Sequence, residues 1–160
     1  EPSDQAEKIL KENYDIATKE VIFPDSQLSI DRFMKNVFLG RAHYISYAVT
    51  TGYKSINWKS TKDELGYTAL HLAIVKGHVE VVLELLKYNA DSNISSGIGN
   101  YPLHDCWVFW KAPVKREVRL EQERKTCEMI RLLCGYGANP NCKTSYDGST
   151  SLHIACRLGP

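Results

Sequence analysis

No stretch of this chain approaches the roughly 18 consecutive apolar residues needed to cross a bilayer, and no charged-then-apolar leader opens it. A bias of charge is missing as well. With 20 Lys and Arg against 19 Asp and Glu the net charge is +1, which gives no bulk attraction toward nucleic acid or an anionic membrane, so neither is expected as a partner. Cysteine is sparse and odd in number, five residues with no C-x-x-C pair, so a disulfide scaffold is not expected. Reduced thiols in the cytoplasm or nucleus fit better. Cys127, Cys134 and Cys142, seven and eight residues apart, match no common zinc spacing, and no metal or cofactor is expected. Also absent are G-x-S-x-G, a P-loop, H-E-x-x-H and a dinucleotide fingerprint, so the sequence offers no catalytic constellation and no enzyme is expected. The chain opens at Glu1 without a methionine, which suggests a piece of a longer protein. Its 160 residues, 43% of them apolar, suit one folded domain.

What the sequence does have is repetition. Leu65–Ala73 reads L-G-Y-T-A-L-H-L-A; related phrases return as G-N-Y-P-L-H-D-C at Gly99–Cys106 and G-S-T-S-L-H-I-A at Gly148–Ala155. A second phrase, L-L-K-Y-N-A-D-S-N at Leu85–Asn93, returns as L-L-C-G-Y-G-A-N-P-N at Leu132–Asn141. Gly66 and Gly99 are 33 residues apart, a period characteristic of stacked helix pairs. Thr68 is placed to cap a first helix, Gly77 to turn into a second, and Asn89 to end that second helix in the left-handed region. Val79, Val82, Leu83, Leu85 and Leu86 form an apolar stripe that a lone helix has nothing to bury against; stacking neighbours supplies the core.

These phrases closely resemble the ankyrin repeat over about residues 64 to 160. The fold implied is all-α: a solenoid of helix-turn-helix pairs joined by hairpin turns. The expected organisation is an N-terminal helical extension (1–28), a degenerate cap repeat (29–63, with helices near 31–40 and 42–51), a regular repeat (64–96), a repeat bearing an insertion (97–144, insertion about 107–125) and a truncated repeat (145–160). Gly99 and Gly148 are 49 residues apart, 16 more than the regular period. Pro113 and the helix formers after it predict an extended second helix that protrudes beyond its neighbours. For Trp107, Phe109 and Trp110, one reading is the aromatic base of a docking element; the favoured one is packing beneath the helix, with its interleaved charges solvated and paired within it.

The resemblance implies recognition of a partner protein or peptide on a concave face of hairpins and first helices. Carried over by position, the contact residues are Glu64, Leu65, Tyr67, Val75 and Lys76; Ile98, Asn100, Val108, Phe109 and Trp110; and Tyr146, Asp147 and Ser149. The other class of function is a regulatory or targeting domain of a larger enzyme or channel, docking on its own parent chain. His71, His104 and His153 share one repeat position, where the family's imidazole holds helix start and hairpin together; His78 is structural too. Cys106 and Cys156 stand where Ala73 packs. Asn93 and Asn141 lie in a phrase that asparaginyl hydroxylases recognise in such proteins, with hairpin stabilisation the favoured role. Leu152, Ile154 and Ala155 lack a covering second helix, so the expectation is further repeats or self-association through the C-terminal end.

Overall fold

In a computed structural model, residues 27–61, 64–108 and 115–158 are described. The expected extension at 1–28 lies almost wholly outside them, as do Phe109, Trp110 and Pro113. Seven helices follow: α1 (Gln27–Phe38), α2 (Ala42–Thr50), α3 (Ala69–Lys76), α4 (Val79–Lys87), α5 (Pro102–Asp105), α6 (Arg116–Gly135) and α7 (Ser151–Leu158), with no strand among the described residues. Helices α1, α3, α5 and α7 contact one another in succession, and α2, α4 and α6 do the same, giving an inner and an outer row.

Local chemistry sets each turn. Thr68 Oγ1 accepts from the His71 amide at the start of α3, and Gly77 ends that helix at φ +71°. Asn89 takes φ +63° where the later repeat has Gly137 at φ +87°. Between the rows lies one core. Leu70, Ile74, Val81, Val82 and Leu85 fill the regular repeat; Met129 and Leu133 continue it, and Phe33, Val37 and Ile45 open it. Phe33 stacks on Tyr53 with ring centroids 4.2 Å apart. Each such large side chain stabilises by roughly 1.5 to 3 kcal/mol on burial, more than a helix of eight or nine residues gains from its own hydrogen bonds.

Helix α6 is 20 residues long against 9 for α4. The two end alike, so the additional length lies at the N-terminal side, about 16 Å of helix. There Arg124 pairs with Glu121 at 2.9 Å and with Glu128 at 3.6 Å, and Lys125 lies 3.8 Å from Glu121, all exposed. Thr126 marks the junction with the core, its hydroxyl bonded to the Cys106 carbonyl at 3.3 Å. Trp107 reaches α7, donating Nε1 to Ser151 Oγ at 2.8 Å.

Candidate functional site

The inner row and the turns beside it form one face, and the backbone joins its parts. Ser96 N donates to Asn100 O at 2.7 Å and Thr144 N to Ser149 O at 2.9 Å, closing two hairpins. Gly97 N then donates to Leu65 O at 2.8 Å and Ser145 N to Gly99 O at 3.3 Å, joining each hairpin to the one before. The joint requires glycine: a Cβ on Gly66 would sit 2.8 Å from Gly97 main-chain atoms, and one on Gly99 would run into the Ser145 hydroxyl. Asparagines lock the other side of the hairpins. Asn57 Oδ1 accepts from Asp91 N at 2.8 Å, and one repeat later Asn93 Oδ1 accepts from Asn139 N at 2.8 Å while its Nδ2 donates to Gly137 O at 2.9 Å. Asn57 thus places the first helix pair in the same register, although that pair has no T-x-L-H phrase.

From this rigid edge project Leu65 and Ile98, each 41% exposed, and Tyr146, 66% exposed. Beside them α1, α3 and the hairpin between enclose a hollow of about 400 Å³, lined by Met34, Phe38, Trp58, Tyr67 and Leu72 with Asp31, Lys35 and Ser60 at its margin. The Tyr67 ring lies parallel to His71, centroids 5.7 Å apart, and Lys76 Nζ sits 4.1 Å above the Phe38 ring.

The histidines work behind this face. Thr68 N donates to His71 Nδ1 at 3.3 Å, so Nε2 carries the proton and donates to Asn100 O, 3.2 Å away in the next hairpin. Burial holds His71 down at about 4 and keeps it neutral. His104 repeats the arrangement with Tyr101 N at 3.0 Å and Cys142 O at 3.1 Å, and burial lowers it as well. His153 takes up Thr150 in the same way. His78 bonds the Phe38 carbonyl at 3.0 Å. Among the described residues no cluster of His, Cys, Asp or Glu is arranged to hold a metal.

The ankyrin repeat family profile matches residues 65–96. The human BCL-6 corepressor-like protein 1 is 31% identical over 117 residues, 73% of this chain but 6% of that protein. Residues 65–96 form an ankyrin repeat, and the helix pairs stacked on either side of it pack in the same two rows. The mouse protein of the same description is 32% identical over 117 residues, and the putative palmitoyltransferase ZDHHC13 of Danio rerio is 32% identical over 78 residues, 46% of this chain and 11% of that protein. The chain therefore spans only a small part of the length of these relatives. Ankyrin repeats are protein-interaction modules, and the family model carries no catalytic function.

Of the residues expected at the contact surface, Glu64, Leu65, Lys76, Ile98, Val108 and Tyr146 are exposed, while Tyr67 and Val75 are half-buried. Phe109 and Trp110 fall outside the described residues. Three side chains serve the array itself. Asn100 Nδ2 donates to Asp105 Oδ1 at 3.1 Å. Asp147 accepts from Thr144 Oγ1 at 2.6 Å, Ser149 N at 2.9 Å and Arg157 at 3.0 Å, donors that hold its carboxyl well below the usual range. Ser149 Oγ accepts from Arg157 at 3.3 Å. Cys106 is fully buried where Ala73 packs, whereas Cys156 is exposed. Missing from the sequence reading were Met34, Phe38 and Trp58, which no repeated phrase marks.

Proposed function

We propose that the ankyrin array binds a segment of a partner protein along its hairpin edge and inner helices, without chemistry of its own. The observation that carries this is the row of exposed apolar tips, Leu65, Ile98 and Tyr146, standing on a backbone-locked edge beside the aromatic hollow. Aromatic and aliphatic anchors on a rigid scaffold bury area at little entropic cost, which is how such surfaces gain affinity. Glu64, Tyr67, Val75, Lys76 and Val108 flank the row, and Phe109 and Trp110 follow Val108 in sequence. A relative described as corepressor-like supports the nuclear setting over the cytoplasmic one. The second reading, an array that serves a larger enzyme from within the same chain, is favoured by the match to a small part of a putative palmitoyltransferase.

The test is co-purification of the intact parent protein, wild type against Leu65→Asp with Ile98→Asp. Both sites are open enough to accept a carboxylate without unfolding. Loss of the bound protein with an unchanged melting temperature is expected; full retention would overturn this surface. Capture of no separate protein by either form, with a loss of parent-chain activity in the variant, selects the second reading.

A further inference from the structure

Among the described residues, two oxygens at the base of the third repeat's hairpin have no donor. Asn100 Nδ2 donates to Asp105 Oδ1 at 3.1 Å, yet Asp105 Oδ2 and Asn100 Oδ1 are both buried and unpartnered. Asp105 is 5% exposed and stands in α5 where α3 has Leu72. An ionised carboxylate in such a place, with one oxygen bare, is strongly unfavourable, and so is a bare carboxamide oxygen. One proton removes both defects. Carried on Oδ2 and donated to Asn100 Oδ1, it closes a ring of two hydrogen bonds between carboxyl and carboxamide.

We propose that Asn100 and Asp105 form a proton-binding latch between the hairpin and α5, closed when the carboxyl is protonated and opened when it ionises. Burial supports the closed form by lifting Asp105 to about 7, against a smaller opposite pull from the Asn100 hydrogen bond. No described cation pairs with it. From α3 the neighbouring titratable group is His71, neutral and bonded to the Asn100 carbonyl. Next to it on α5 are His104, bonded to Cys142 O, and Cys106, whose thiol burial pushes far upward. The part of α6 against α5 presents the Thr126 hydroxyl, and Arg157 of α7 is engaged with Asp147.

The latch reaches the surface through Asn100. Its amide donates to Ser96 Oγ at 3.1 Å and its carbonyl accepts from Ser96 N, so it closes the hairpin that carries Ile98 and bonds Leu65 through Gly97. Ionising Asp105 therefore loosens the residue that holds the central hairpin in place.

Because the folded value lies above the ordinary 3.8, this carboxyl's contribution to stability is complete below about pH 4 and lost as pH rises through about 7. His71 runs the opposite way on the acid side, so the measurement is a difference. Melting temperatures of the full chain and of Asp105→Asn are compared from about pH 5 to about pH 8. A carboxamide at 105 closes the same ring without a proton, so the variant should gain on the wild type steadily across that range and melt above it at about pH 8. A difference that stays constant, or a variant that melts lower at about pH 8, overturns the proposal. Should the variant not fold, the Asp105 side-chain carbon resonance of the wild type decides: a midpoint near 7 supports the latch, one near 3.8 overturns it.

Discussion

The repeat of α3 and α4 and the repeat of α5 and α6 share a frame and differ in what they hang on it. Both begin on a histidine that reaches into the next hairpin, and both bury a leucine, Leu85 or Leu133, completely. At the inner face they part. Tyr67 and Leu72 in the first line an apolar hollow; Asn100 and Asp105 in the second form a buried polar pair. At the turn between helices the first has Gly77 and His78, while the second helix of the later repeat is about three turns longer. Positions that hold neighbouring repeats together are thus kept alike, and those that face outward or bear the turn are free to diverge.

Leu85→Ala and Leu133→Ala break the shared part of this comparison. Each should lower stability by about 2 to 5 kcal/mol, and by similar amounts, since both side chains are fully enclosed. Denaturant unfolding measures it; a loss at Leu133 much smaller than at Leu85 would show that the insertion has loosened the second core. Next in size are the histidines. His71→Ala should cost roughly 1 to 3 kcal/mol, His104→Ala less, and the exposed His153→Ala least, in the order of their burial. With a folded value near 4 against 6.5, neutral His71 stabilises fully above about pH 6.5 and loses that contribution as pH falls toward 4, so His71→Ala should flatten the acid side of the melting curve. Third, Asn93→Ala should cost about 1 to 2 kcal/mol by removing two bonds across the junction, and Asn57→Ala less, by removing one. Smallest of all, Arg124→Ala on the protruding part of α6 should leave the melting temperature unchanged, because its partners are as solvated as it is.

The repeats are legible in the sequence because their signals are local. A cap and its histidine stand three residues apart, as Thr68 and His71 do, and Gly66, Gly99 and Gly148 mark each hairpin. Helix α1 was harder: it starts at Gln27, a turn ahead of the expected 31, and its repeat has no cap phrase to fix the start. The hollow was illegible for a different reason. Its walls come from Met34, Trp58 and Leu72, brought together only by stacking, and no spacing announces them. Asn100 was misleading because its position faces outward in the regular repeat; only Asp105, a polar residue where Leu72 packs, hinted that the pair would turn to each other. The length of α6 was foreseeable from the 49-residue spacing, but not that Trp107 would reach toward α7.

The joint between hairpins consists of main-chain groups and glycines, Gly97 to Leu65 and Ser145 to Gly99, with the Ser145 hydroxyl also reaching the Ile98 carbonyl at 3.5 Å. It draws nothing from the side chains of Leu65, Ile98 and Tyr146. Leu65, Ile98 and Tyr146 can therefore be exchanged for other residues one at a time while the edge that presents them keeps its shape. The array behaves as a keyboard on a fixed frame, and a new specificity can be composed on it without rebuilding the instrument.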